Sequence, residues 1–249
     1  MFFEMAMKSH GLGRHVHVNA LIPKVKEGQT YKTLWLLHGL SCDYSSWARK
    51  TSIERYAEEY GIAVVMPDGG RSWYTDTVCG DNYFTFITKE LPETCRACFK
   101  GMSDKREDNI VGGFSMGGYG AMKMALTYPE NYGACISLSG ALDITRKGRP
   151  VNLAEWQAIF DYNMKTPDEL EGTKHDLFAL LHEDVKEGRV LPKLYLWCGV
   201  DDSLIDINRR FCGELEALGI EHTFVESEGD HTWKWWDMHI KSGLENILG

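Results

Sequence analysis

The chain has 249 residues, 43% hydrophobic and 25% charged, a globular composition with enough length to bury a large core. Its formal net charge is −9 and it carries no basic run, which excludes nucleic acid and anionic membrane surfaces as partners. No stretch approaches the roughly 18 apolar residues of a membrane span, and MFFEMAMKSHGLGRHVHV at the start lacks the charged-then-apolar order of a signal peptide.

In chain order, HVHVNALIP (15–23) alternates polar and apolar residues and is expected as an edge strand in an antiparallel pair. TLWLLHG (33–39) is continuously apolar, as a strand buried on both faces should be. A helix is expected over 46–60, a strand at IAVVMPDG (62–69) and a second helix over 84–99. NIVGGF (109–114) reads as a strand running into a helix at 116–127, followed by the strand ACISLSG (134–140). KLYLWCG (193–199), a helix over 204–218, HTFVESEG (222–229) and a helix over 232–248 complete the series. The alternation argues a single α/β domain over 1–249, a mostly parallel sheet with helices on both faces. Segment 141–192 breaks the rhythm; it is charged, holds Trp156, Phe160 and Phe178, and is too long for a plain loop. Two readings stand for it, a crossover with an extra helix or a small lid over a site.

Seven cysteines, at 42, 79, 95, 98, 135, 198 and 212, are scattered and odd in number. Cys95 and Cys98 form a C-x-x-C pair with no second pair or nearby histidine, so structural thiols in a reduced, cytoplasmic setting are expected.

The stretch IVGGFSMGGYG (110–120) surrounds one serine with glycines. Gly113-Phe114-Ser115-Met116-Gly117 is G-x-S-x-G, a strand-to-helix elbow that lifts a serine above a sheet. Alone it is equally a Gly-rich turn before a helix, so its context decides. A serine hydroxyl needs a base in reach, and the base an orienting carboxylate. In an open α/β sheet these groups lie beyond the strand C-termini. Val200-Asp201-Asp202-Ser203 follows one later strand, and Asp230-His231 follows the next. The order Ser, Asp, His is that of an α/β-hydrolase. Asp201 and Asp202 both follow the strand, and one of them can simply cap the helix starting near Leu204, with Asp206 as an outside candidate. Of the other histidines, His15 and His17 share a strand face without a third metal ligand. His175, His182, His222 and His239 fall outside the strand ends that follow the acid. Oxyanion N–H groups are expected from Met116, directly after the serine, and from Leu40, after His38-Gly39. Trp73 and Tyr74, beyond the fourth strand, are candidate walls of an acyl or alcohol pocket. Trp156 and Phe160, one helical turn apart, are expected to bound its alcohol side from the insert.

LLHGLSCDYSSW, PDGGRSWYTD, GGFSMGGYGAMKMAL, CGVDDSL and EGDHTWKWWD together resemble the esterase D family, closest to its shorter bacterial branch of tributyrin, feruloyl and acetyl-xylan esterases. The resemblance spans nearly the whole chain. It implies an α/β-hydrolase fold and a serine carboxylesterase with no cofactor and no metal. By position it implies Ser115 as nucleophile, His231 as base, Asp202 as the acid of C-G-x-x-D-x-L, and Leu40 and Met116 as oxyanion donors. Ser203, apolar in many relatives, and the variable segment 141–192 depart from the pattern and leave the ester unspecified.

The expected activity is hydrolysis of short-chain acyl or aryl esters through an acyl-enzyme, with a small-molecule ester as the partner; a homo-oligomer is compatible with the sequence. S-formylglutathione hydrolysis and acyl transfer are the alternatives on the same fold. A non-enzymatic scaffold would lack a triad member, and none is lacking.

Overall fold

In the computed structural model, residues 1–147 and 150–249 are described. The elements run β1 (Phe2–Lys8), β2 (His15–Leu21), β3 (Thr33–Leu37), α1 (Ser46–Lys50), α2 (Ile53–Tyr60), β4 (Ala63–Pro67), α3 (Tyr83–Thr85) and α4 (Leu91–Cys98). They continue with β5 (Asn109–Phe114), α5 (Met116–Thr127), β6 (Ala134–Leu138), α6 (Leu153–Ile159), α7 (Leu177–Glu187), β7 (Lys193–Gly199), α8 (Ile205–Ala217), β8 (His222–Ser227) and α9 (Trp233–Leu248).

The strands form one eight-stranded sheet in the order β1-β2-β4-β3-β5-β6-β7-β8. From β4 to β8 all neighbours are parallel; β2 runs antiparallel to both β1 and β4. The α/β-hydrolase fold expected from the sequence is therefore present. Strand side chains alternate between two cores. Trp35, Leu37, Val65 and Val111 enter one, with α4, α5, α7 and α8. Leu34, Leu36, Val64, Ile110 and Ile136 enter the other, with α1, α2 and α9. Helices thus cover both faces, which is why the central strands read as unbroken apolar runs.

Some expectations change. The edge strand is β1, not the strand at His15–Leu21, whose alternation reflects one face covered and the other partly solvated beside β1. The helix expected over 46–60 is two helices. Thr51 is extended, and Asp237 of α9 accepts the Ser52 N–H at 2.8 Å, capping the start of α2 from outside. The helix at 84–99 widens over Phe86–Glu90, where Pro92 lacks the N–H that would continue the ladder.

Within 141–192, α7 is the crossover helix between β6 and β7, packed beside α5, with Phe178 edge-on to Phe211 of α8. The part before it is fastened to the loop after β4 and to α5. Trp156 meets Trp73 with ring centroids 5.5 Å apart, Val78 N–H donates to Ile159 O at 3.1 Å, and Tyr119 donates to His175 O at 2.9 Å.

Candidate active site

Ser115 closes β5 and caps α5 with φ 55° and ψ −119°, a left-handed conformation costing about 1–3 kcal/mol in a non-glycine residue. The flanking glycines allow that turn. A Cβ on Gly113 would lie 2.5 Å from Gly117 O, and one on Gly117 would lie 2.4 Å from Leu37 O. Any side chain there would push α5 off β3 and lower the serine. Ser115 N–H donates to Leu138 O at 3.0 Å, and Ala141 N–H donates to Ser115 O at 3.1 Å, so β6 holds the elbow on one side.

The turn after β7 and the turn after β8 are stitched together. Val200 N–H donates to Ser227 O and Asp201 N–H to Gly229 O, each at 2.9 Å. A Cβ on Gly199 would lie 2.1 Å from Gly229 O, so glycine is required at this crossing. The stitching brings Asp202 to His231. His231 Nδ1 lies 2.8 Å from Asp202 Oδ2, and Nε2 lies 3.1 Å from Ser115 Oγ. Asp202 is fully buried at its side chain, whereas His231 stays about a third exposed. Burial alone would raise the Asp202 pKa. Hydrogen bonds from His231, Ser139 and the Leu204 N–H outweigh it and hold the carboxyl below its ordinary value. Asp201 is exposed, and Asp206 points to solvent beside Arg209.

Ser139 escaped the sequence reading. It follows β6 with φ 46°, bonds Asp202, and accepts from Trp236 Nε1 at 3.1 Å. The only sequence signal was a small polar residue at a strand end. Trp236 in turn stands edge-on to the His231 ring at 4.9 Å and stacks on Phe114 at 4.0 Å. The His231 ring is therefore backed by an aromatic cluster that also includes Trp47 and Trp233.

Met116 begins α5, so its N–H has no partner within the helix. Leu40 lies half-buried in the turn after β3. Tyr74 is fully buried, and its hydroxyl donates to His38 O at 2.9 Å; it lies under this turn instead of walling an open pocket. Trp73 is buried against Tyr119, one turn beyond Ser115 on α5, at 5.8 Å. Trp156 rests on Trp73, and Phe160 packs on Trp156 and His175. Among the described residues, no group of three or more His, Cys, Asp or Glu side chains is arranged to hold a metal ion. Nor is any helix among them long and apolar enough to cross a membrane.

The Esterase family model, described as "Putative esterase", matches residues 9–247. The acetyl esterase of Caldicellulosiruptor saccharolyticus is 34% identical over 224 residues, 88% of this chain and 84% of that protein. Among solved structures, FphF, a fluorophosphonate-binding serine hydrolase of Staphylococcus aureus with substrate bound, superposes with a TM-score of 0.92 at 32% identity, covering 100% of this chain and 98% of that one. The S-formylglutathione hydrolase FrmB of Staphylococcus aureus, without ligand, gives a TM-score of 0.89 at 31% identity, with coverage of 100% and 99%.

Proposed function

This chain belongs to the Esterase family and is a serine ester hydrolase acting on small-molecule esters; on that premise we propose the roles of its residues and the class of its ester. The observation that carries the proposal is the continuous chain Ser115 Oγ–His231 Nε2–Asp202, 3.1 and 2.8 Å long, on a strained elbow.

Ser115 Oγ attacks the ester carbonyl while His231 Nε2 takes its proton. Asp202 holds the ring through Nδ1 and stabilises the imidazolium without taking the proton. Charge developing on the carbonyl oxygen falls on the N–H groups of Leu40 and Met116. His231 then returns the proton to the leaving alcohol, and water repeats the sequence to release the acid.

The acyl group is short, about C2 to C6, where each fitting methylene adds at most ~1–3 kcal/mol. The buried Met116 and Trp73 beside the elbow support that limit, as does the likeness to an acetyl esterase. The aromatic column Trp73–Trp156–Phe160 sets the size of the site on the insert side, and the insert acts as a fastened wall. All seven cysteines are free thiols, which supports a reducing compartment, the cytoplasm.

Ser115→Ala is expected to fold normally and lose about 10⁵- to 10⁶-fold in kcat. A fluorophosphonate should label the parent at Ser115 and leave the variant unlabelled; labelling of the variant rejects the nucleophile. The likeness to FrmB favours one second reading, thioester hydrolysis. A higher kcat/KM on S-formylglutathione than on p-nitrophenyl acetate would select it.

A further inference from the structure

Two consecutive aromatic residues stand in a conformation that bulky side chains rarely adopt. Trp73 has φ 52° and Tyr74 has φ 46°. Glycine would take this turn at less cost, so the side chains must return something. Tyr74 is fully buried, and two glycines make room for its ring. A Cβ on Gly69 would lie 2.3 Å from Tyr74 Cε1, and one on Gly120 of α5 would lie 2.5 Å from Cδ2. The ring is wedged between the β4 loop and the helix that carries the nucleophile.

Its hydroxyl donates to His38 O at 2.9 Å. The His38 ring, 1% exposed, is fixed at both nitrogens: Gly69 N–H donates to Nε2 at 2.9 Å, and Nδ1 lies 2.8 Å from Gly39 O. Since Nε2 accepts, the proton is on Nδ1 and is donated to Gly39 O. Asp68 Oδ1, at 3.6 Å from Nε2, is beyond hydrogen-bond reach. Cys42 N–H also donates to Gly39 O, at 3.1 Å.

Gly39 C=O and Leu40 N–H belong to one planar trans peptide and point in opposite directions. Holding the carbonyl therefore aims the N–H. We infer that His38 and Tyr74 are positioning residues for the oxyanion hole. From the strained Trp73–Tyr74 turn, the Tyr74 hydroxyl holds the His38 carbonyl one peptide earlier, while the His38 ring and Cys42 N–H hold the Gly39 carbonyl; together they fix the two peptides that lead into Leu40 and so point its N–H at the reacting oxygen. This rests on the esterase reading above and adds to it how one oxyanion donor is held.

The test compares the parent with Tyr74→Phe and His38→Asn. The measurements are melting temperature, kcat and KM on p-nitrophenyl acetate, and the inhibition constant of an aryl trifluoromethyl ketone, whose adduct with serine carries an oxyanion. Losing an oxyanion donor costs about 10²- to 10³-fold in kcat, so misaiming one through Tyr74→Phe should cost roughly 10- to 100-fold. KM should stay within about twofold, and the ketone should weaken by the same factor as kcat. His38→Asn, which gives up the bond to Gly69, should lose more. A merely structural role would lower the melting temperature and leave the ketone's inhibition constant in place; that result, or a kcat for Tyr74→Phe within about twofold of the parent, overturns the inference. Should His38→Asn not fold, Tyr74→Phe decides alone, because it removes one oxygen and keeps the ring. The parent's turnover and its labelling at Ser115 by a fluorophosphonate test the esterase reading separately. An inert parent sinks both readings; an active parent with unchanged variants sinks only this one.

Discussion

At the scale of residues, two adjacent aspartates with different surroundings should differ sharply in their effect on rate. Asp202 is buried and engaged by His231, Ser139 and the Leu204 N–H, while Asp201 is exposed and uses its backbone N–H on Gly229 O. Asp202→Asn presents an amide to the imidazole, breaks the tautomer and leaves the cation without a partner. It should lower kcat by roughly 10³- to 10⁴-fold. Asp201→Asn should cost less than about tenfold, through local charge alone. The reverse ranking in steady-state kinetics rejects Asp202 as the acid. The strand-end pattern alone could bring the candidate acid down to a few neighbouring residues but not to one. Which carboxyl turns inward depends on the Gly199–Gly229 crossing, and that crossing joins two turns far apart in the chain. Ser139 was harder still to read, because its partners Asp202 and Trp236 come from two later elements.

At the scale of elements, the parallel strands were legible because burial on both faces leaves an unmistakable apolar run, as in β3, β4 and β6. Strand β1 was not, since its half-exposed FFEMAMK resembles a polar-apolar tail until its pairing with β2 is seen. The break between α1 and α2 was hidden for a similar reason, whereas the widening between α3 and α4 has a local cause in Pro92. Asp237, which caps α2, lies near the other end of the sequence. The insert is where element and function meet. Trp156 and Phe160 are 3% and 5% exposed, so replacing them with alanine risks the fold at ~3–5 kcal/mol each. Leucine at both positions keeps an apolar filling while removing the rings. If the column bounds the ester, this double variant should change the ratio of kcat/KM for p-nitrophenyl acetate to that for methyl ferulate by at least about fivefold. Labelling by a small fluorophosphonate should continue at the parent rate, because the Ser115–His231 contact does not involve these rings. A fixed ratio with a lower melting temperature would make the column purely structural and move the alcohol site toward Trp47 and Trp233.

At the scale of the whole molecule, stability and pH are linked through two buried bases on opposite faces of the sheet. Lys123 of α5 is fully buried; desolvation, with Lys174 nearby, brings its pKa down to about 7. Its ammonium bonds Thr75 Oγ1 at 2.8 Å and sits over the Phe84 ring at 4.9 Å. The unfolded chain keeps this lysine protonated up to its ordinary value of 10.5, so the folded state binds fewer protons between about 7 and 10.5, and stability from this group rises with pH through that window. His239 of α9 stacks on Trp197 at 4.0 Å with no hydrogen-bond partner at either nitrogen, and burial lowers its pKa to about 4. By the same sign its contribution is complete above 6.5 and is lost as pH falls toward 4. Self-repulsion of a chain with net charge −9 works against the alkaline rise, but it changes by one charge at most in a single variant, so differences from the parent isolate each group. Lys123→Met removes the buried amine and leaves Thr75 Oγ1 paired with His175 Nδ1 at 3.1 Å. It should raise the melting temperature at pH ~7 by at least about 4 °C, and the gain should shrink toward pH ~10. His239→Phe keeps the stack on Trp197 without the unpaired nitrogens. Its gain should be largest near pH ~4 and level off above about 6.5. Calorimetric melting of the three proteins from pH ~4 to ~10 decides both. Curves that run parallel to the parent's across the whole range would mean that neither buried base governs the pH dependence of folding.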